Sequence, residues 1–364
     1  MRGLSPAATR AALAAVVTLG AGALGGGVFS LLGLPAAWIS GALVFTLVLA
    51  MAGVPVVVPE GVRFLAYTVL GTSMGTVLTP EMLARAGSWP VSMACLAASV
   101  VGTLGGGVLF LTRVGGWSLP TAFYASAPGA FSTVLAMAEA SRADLTRVAF
   151  AQTLRLFLLV AALPNVLGAG GLAGGGFQPV PHVSALADVA LLLGVSAACG
   201  LATAALKVPG GLILGALAGS AAMHLGGWSD ATVPSAILLP AFVVLGAGVG
   251  ARFIGTSLAA IRSYFWVSLG AFLVALSVAA AFALLAAWLT GDDMGKLLTA
   301  FSPGALEAMT ALGFAMGYDP AFMSAHHLFR FAGLSVVLPV AAHLLFSAEE
   351  RERGGAGRDG DQAP

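Results

Sequence analysis

The chain has 364 residues, of which 59% are hydrophobic and only 9% charged. A soluble domain carries about 25% charged residues, so a water-solvated globule is excluded, and the mean hydropathy of +0.99 fits a chain that lies mostly in lipid. The formal net charge of +1 provides no basic face for nucleic acid. The two cysteines, Cys95 and Cys199, give neither a disulfide framework nor a zinc spacing and read as small packing residues.

Arg2 and Arg10 precede an apolar run that begins at Ala11. The run lasts about 22 residues, longer than the short apolar core of a signal peptide, so it reads as a first transmembrane helix and not as a cleaved leader. Apolar segments then recur near 35–53, 62–80, 89–112, 117–140 and 145–168, after the first at 11–33. A second set lies near 183–206, 208–226, 233–252, 263–290, 295–317 and 320–346. The stretch from Gly170 to His182, rich in glycine and carrying Pro179 and Pro181, reads as a linker. The charged end from Ala348, with Glu349, Glu350, Arg351, Glu352 and Arg353, reads as a disordered, solvent-exposed tail. The expected domains are therefore a first membrane repeat over 10–168, a linker over 169–182, a second repeat over 183–346 and a cytoplasmic tail over 347–364.

The two sets are copies of one unit. A single constant offset carries Pro128-Gly129-Ala130 onto Pro303-Gly304-Ala305, Asp144 onto Asp319, and Arg155 onto Arg330. It also carries Ala66-Tyr67-Thr68-Val69-Leu70-Gly71 onto Ala241-Phe242-Val243-Val244-Leu245-Gly246, and Gly75 onto Gly250. The segments holding the Pro-Gly pairs are broken near their middles, because proline removes a backbone donor and glycine lets the chain turn. In lipid the freed carbonyls would stay unpaired, so such breaks belong where protein or water lines the chain. Both segments are predicted to be re-entrant or discontinuous helices.

Five crossings per copy make the copies inverted relative to each other. With a cytoplasmic N-terminus, this arrangement puts Arg63, Arg113, Arg142, Arg147, Lys207, Arg252 and Arg262 inside, and leaves Arg85 and Lys296 outside beside Glu81, Asp230, Asp292 and Asp293. That is the positive-inside bias, and a parallel six-plus-six arrangement fits it less well. The fold class is thus an all-α polytopic membrane protein of two inverted repeats with ten to twelve crossings. Gly71, Gly75, Gly246 and Gly250 recur at helical spacing and read as seams of close helix packing.

The residues that could carry chemistry cluster at the breaks. Arg155 and Arg330 follow their Pro-Gly pairs at the same distance, each inside apolar sequence. A buried arginine needs partners. Each of these two holds either an anionic ligand or carboxylate, or the free carbonyls of its broken helix. Glu307 opens the half-helix after Pro303-Gly304, where the helix dipole favours a carboxylate, and an intramembrane acid is also a candidate proton-coupling group. Its counterpart is Ser132. Asp144 and Asp319 read as helix N-caps, with Asp319 a further coupling candidate. His326 and His327 are adjacent, so they point to different sides of a helix and lack metal-site spacing, but either could titrate near neutral pH. No phosphate-binding loop, HExxH, nucleophile elbow or cluster of metal ligands is legible, so no catalytic residue, metal or cofactor is expected.

The second copy reads Ser302-Pro303-Gly304-Ala305-Leu306-Glu307-Ala308-Met309, then Gly317-Tyr318-Asp319-Pro320-Ala321-Phe322, then His326-His327-Leu328-Phe329-Arg330. These motifs resemble the PGGxxEM, GxDP and HHxxR of the AbrB family of bacterial membrane proteins, sometimes labelled ammonia monooxygenases. The likeness covers roughly residues 10 to 346. The first copy is looser: Ala127-Pro128-Gly129-Ala130-Phe131-Ser132 lacks the acidic residue, and both copies have alanine where a second glycine is usual. The resemblance implies a duplicated domain in the bacterial inner membrane and a link to regulation of gene expression. The plan is also similar, at the level of fold alone, to transporters with inverted repeats and crossed broken helices.

Three functions compete. A secondary transporter of a small, anionic solute would use Pro128, Gly129, Arg155, Pro303, Gly304, Glu307 and Arg330 as its substrate site. Glu307, Asp319, His326 and His327 would serve as its coupling groups. A membrane-bound regulator would need an effector surface, for which the chain offers short loops and a tail. A monooxygenase would need metal ligands that the sequence does not display. The expected partners are the lipid bilayer, a small-molecule or ion substrate and further copies of the chain, with no nucleic acid.

Overall fold

The computed structural model describes residues 6–128, 131–139, 141–175, 184–256 and 258–356. Among them the chain is helical throughout its ordered elements and contains no strand. The first copy comprises α1 (Pro6–Leu31), α2 (Ala37–Met51), α3 (Glu60–Gly75), α4 (Pro80–Ala84), a 3-10 turn at Arg85–Ser88, α5 (Trp89–Arg113), α6 (Leu119–Ser126), α7 (Phe131–Glu139) and α8 (Leu145–Ala169). The second comprises α9 (Leu186–Ala205), α10 (Gly211–Leu225), α11 (Ser235–Gly250), a 3-10 turn at Ala251–Phe253, α12 (Leu258–Thr290), α13 (Met294–Phe301), α14 (Leu306–Ala315) and α15 (Pro320–Ala356).

Pro128 and the pair Pro303-Gly304 fall outside the helices that flank them, as the sequence requires. The segment near 117–140 is divided into α6 and α7, and the segment near 295–317 into α13 and α14. Pro128 follows the C-cap of α6, where Ala127 turns to an extended φ of −62° and ψ of 117°. Pro303 follows Ser302, the C-cap of α13, with φ −59° and ψ 131°. An extended residue before proline is the conformation that the pyrrolidine ring imposes.

Among the described residues, seven helices are long and apolar enough to cross a bilayer: Thr9–Leu31, Pro80–Arg113, Leu145–Ala169, Leu186–Ala205, Ser235–Phe253, Ile261–Thr290 and Pro320–Phe346. Of the ten crossings expected, α2, α3 and α10 fall short. At 1.5 Å per residue, a helix of 15 or 16 residues reaches only about 24 Å, below the roughly 30 Å of a hydrocarbon core. Large apolar side chains on the long helices face outward, including Leu31 and Trp288 at 89% and 80% exposure. Such surface is costly in water and neutral in lipid.

The short helices α2, α3 and α10, together with α11, join the copies. Gly71 and Gly75 of α3 abut the backbones of Ile213 and Leu217 in α10. Gly246 and Gly250 of α11 abut those of Ile39 and Leu43 in α2. A Cβ at Gly75 would sit 2.5 Å from the Leu217 carbonyl, and one at Gly250 would sit 2.6 Å from that of Leu43. These are the close seams that glycine permits in lipid. Partner numbers rise together in both seams, so α3 runs parallel to α10, and α11 to α2. The contact between α5 and α12 has the opposite sense. Gly102 meets Val278, Gly106 meets Val274, and Phe110 meets Gly270. One number falls as the other rises, so these two helices are antiparallel.

Buried side chains form two clusters. The larger includes Ile39 and Leu43 of α2, Leu70 and Met74 of α3, Ile213 of α10 and Leu312 of α14. The smaller packs around the first break, with Ala122 and Phe123 of α6, Val134 of α7, Val148 of α8, and Leu334 and Leu338 of α15. Cys95 is buried and Cys199 half-buried, both as free thiols.

Two boundaries differ from the sequence reading. The backbone of α15 stays helical through Ala356, so the charged run Glu349–Arg353 continues the last helix instead of opening a disordered tail at 347. Glutamate and arginine are good helix formers, and a helix already nucleated in the membrane extends at little cost. The start of the linker is packed as well: the Tyr318 hydroxyl donates to the Leu172 carbonyl at 2.6 Å. Its remainder, 176–182 with His182, lies outside the described residues.

Candidate functional site

Each broken helix leaves carbonyls at the end of its first half without intrahelical donors, at the negative end of the helix dipole. Both copies use the same remedy: an arginine from the following long helix. In the first copy Arg155 of α8 donates from its terminal nitrogens to the carbonyls of Ser126 (3.4 Å) and Ala127 (3.1 Å). It also donates to the side-chain oxygen of Gln152. Gln152 in turn donates to the carbonyls of Tyr124 and Ala127, both at 2.8 Å. In the second copy Arg330 of α15 donates to the carbonyls of Ser302 (2.5 Å) and Gly304 (2.7 Å). Arg155 and Arg330 are 8% and 4% exposed, and neither is among the ion pairs of the described residues, which join Arg63 to Glu60, Arg147 to Asp144 and Lys296 to Asp292. Of the two roles open to these arginines, the geometry displays the tie to free carbonyls.

The two clamps are unequal. Gln152 corresponds to His327, and His327 is fully buried with no hydrogen-bond partner on either ring nitrogen. The neighbouring His326 is also fully buried but partnered, with Nδ1 2.9 Å from the Phe322 carbonyl and Nε2 2.8 Å from Ser92 Oγ. The adjacent histidines therefore face different surroundings. Asp319 accepts from the backbone N–H of Ala321 (2.8 Å) and Phe322 (3.3 Å), and Asp144 accepts from that of Arg147 (3.1 Å). Both are N-caps.

Glu307 is half-buried in the first turn of α14, and its charge reaches the Tyr67 hydroxyl of α3, as does that of Arg252. The guanidinium groups of Arg155 and Arg330 also lie within each other's field. The breaks thus meet across the copy boundary. A cavity of about 20 Å³ is lined by Phe131, Gln152 and Arg155 of the first copy and by Arg252, Pro303, Gly304 and Ala305 of the second. That volume suits one water-sized guest. The Arg252 guanidinium stands 5.4 Å from the centre of the Phe131 ring. Pro128 is buried beside its own clamp, while Gly129 lies outside the described residues.

Arg252, Gln152 and Ser92 had no place in the sequence reading of the site. Arg252 ends an apolar helix and reads there only as an interfacial charge. Gln152 could have been found, since it sits three residues before Arg155 and so shares its helix face. Ser92 carries no sequence signal, because its partner is 234 residues away. Among the described residues, no three His, Cys, Asp or Glu side chains are grouped to hold a metal ion.

Comparison with known proteins places this architecture. A family model described as "Transition state regulatory protein AbrB" matches residues 38–346. The chain is 26% identical over 321 residues to "Putative regulator AbrB" of Escherichia coli (strain K12), covering 86% of this chain and 90% of that protein. It is 25% identical over 351 residues to "Uncharacterized protein YhjN" of Bacillus subtilis (strain 168), covering 89% and 91%. The matched region takes in both breaks, both arginine clamps and the cavity between them, and this helical membrane protein belongs to the AbrB family.

Proposed function

We propose that this protein is a secondary transporter of a small anionic solute, built from two inverted repeats in a bacterial inner membrane with both termini in the cytoplasm. The inverted arrangement draws support from helix direction. Equivalent helices α5 and α12 run antiparallel, as a two-fold axis in the membrane plane requires and an axis along the membrane normal does not allow. In this reading α6–α7 and α13–α14 are discontinuous helices that cross near the midplane, where such transporters hold their substrates.

The observation that carries the reading is the cavity between the breaks, lined from both copies. Arg155 and Arg252 supply positive charge to it, and its wall ends at Ala305, the N-cap of α14, where a helix N-terminus favours an anion. Glu307, in the first turn of that helix, can hold a proton or oppose an anion until one is taken up. Because the cavity is small, a solute larger than water enters only as the copies move against each other. The reading assigns no catalytic step to the chain. The test is uptake by purified protein in proteoliposomes across a panel of carboxylates and amines. Carboxylates should be accumulated and amines ignored. Uptake that survives both Arg330→Ala and Glu307→Gln without change would sink the site assignment.

A second reading follows from the Escherichia coli relative, which is named "Putative regulator AbrB". Here the effector would be a partner protein bound at the short loops or the chain end. A variant that is defective in uptake but still restores gene expression in a deletion strain would favour this alternative.

A further inference from the structure

The second copy holds a column of ionisable groups that has no equivalent in the first. At its outer end Asp292 and Lys296 form a partly exposed pair at the start of α13. Lys296 Nζ lies 4.1 Å from the centre of the Phe322 ring, and that ring stacks on His326 at 3.8 Å. His327 follows, and Arg330 lies one turn further, on the break. At the equivalent positions the first copy has Trp117, Thr121, Arg147, Ala151 and Gln152 in place of Asp292, Lys296, Phe322, His326 and His327.

The hydrogen bonds of His326 are built for two protonation states. Nδ1 faces the Phe322 carbonyl, which can only accept, so Nδ1 carries a hydrogen. Nε2 faces Ser92 Oγ at 2.8 Å, and the same hydroxyl lies 2.9 Å from the Trp89 carbonyl. With a neutral ring, the hydroxyl donates to Nε2. With a proton on Nε2, the hydroxyl accepts from the ring and rotates its own hydrogen toward the Trp89 carbonyl. Every buried donor is satisfied in both states, a condition that a merely packed histidine need not meet. From α5 the ring meets Trp89, with centres 6.1 Å apart, and Ser92. From α13 and the turn before it, the ring feels the charges of Lys296 and Asp292. On α15 it meets Phe322 and His327.

We propose that His326, with Ser92 as its two-way hydroxyl partner, is a proton-binding site and that the ion driving this transporter is the proton. This rests on the transporter reading above. The Asp292–Lys296 pair is the entry from the α13 side. A charge placed on His326 is felt by His327, and that of Arg330 is felt there too. Like-charge repulsion along this column loosens the hold of Arg330 on the Ser302 and Gly304 carbonyls and so couples protonation to the second break. No bond to carbon forms or breaks: the proton enters at Nε2 and leaves from it.

Two measurements on the full chain separate this proposal from the transporter reading. In lipid nanodiscs, nitrogen NMR of histidine-labelled protein is recorded between about pH 4 and pH 8. The ring signal missing from His326→Gln should convert from the Nδ1–H tautomer to imidazolium, and its Nε2 resonance should move in Ser92→Ala. A ring that stays neutral over that range overturns the proposal. In proteoliposomes loaded with a pH dye and given gradients of succinate, pyruvate, glutamate or phosphate, protons moved per solute should be measurable for the wild type and fall to zero for His326→Gln. His326→Ala, the residue of the first copy, serves if the glutamine variant does not elute as a folded protein. Solute movement with the same proton ratio in the variant overturns the proposal and leaves the transporter standing. If none of these anions moves, the transporter reading and the coupling role fall together, and the NMR signal still decides whether the proton site exists.

Discussion

The two broken helices solve one problem with different reserves. At the first, Arg155 and Gln152 together hold the carbonyls of Tyr124, Ser126 and Ala127, and Ala127 is held by both. At the second, Arg330 is the side-chain donor to Ser302 and Gly304, the Ser302 carbonyl also accepting from the Gly304 N–H, and the residue that matches Gln152 is a buried histidine with no hydrogen-bond partner. The difference teaches that residues at equivalent positions in the two halves tie their breaks with unlike side chains. The break with fewer side-chain ties is also the one whose flanking helices carry Glu307 and His326. An element that must move is drawn from the less firmly held part of a structure.

This contrast can be broken by mutation. Arg330→Ala should cause the largest loss, because two buried carbonyls lose their only side-chain donor, at about 1–3 kcal/mol each. Thermal unfolding of purified protein should show a clear drop, and uptake should vanish. Arg155→Ala should lose less than half as much, since Gln152 still reaches two of the three carbonyls. Equal losses in the two variants would refute the unequal-clamp account. The double change Arg155→Ala with Gln152→Ala should bring the first break down to the level of Arg330→Ala.

Gly71→Ala and Gly246→Ala form a matched pair on the symmetric seams. Each pushes a methyl group into a neighbouring backbone and should cost about 1–3 kcal/mol. Similar drops in melting temperature are expected, and a large inequality would argue against equivalent seams. His327→Gln transplants the first clamp into the second copy. It should raise stability by about 1 kcal/mol, the value of a typical net hydrogen bond, and slow uptake by stiffening the break. The smallest effects belong to the caps: Asp144→Ala and Asp319→Ala should each cost about 1 kcal/mol, measured by the same unfolding assay.

Much of this is legible in the sequence. Pro128 and Pro303 mark the breaks because proline cannot continue a helix, and both fall in the gaps seen between α6 and α7 and between α13 and α14. Arg155 and Arg330 stood out because an arginine in apolar sequence must find partners. Asp144 and Asp319 cap their helices as their position before an apolar run requires. What stayed hidden were contacts between distant segments. Ser92 has nothing in its neighbourhood to connect it with His326, and Arg252 looks like any basic residue at a helix end. The choice for each buried arginine, between a ligand and a carbonyl, also depends on how far its side chain lies from the break.

By itself, then, the sequence determined the apolar surroundings and the places where helices fail. These follow from composition, spacing and the backbone chemistry of proline and glycine, all of which act locally. Tertiary structure alone decided that α5 and α12 run antiparallel, that both arginines turn to carbonyls, and that the copies meet in one small cavity. Those outcomes depend on which helix faces are brought together from opposite halves of the chain. Packing of small side chains and pairing of buried polar groups selects among such arrangements, and neither is written in any single segment.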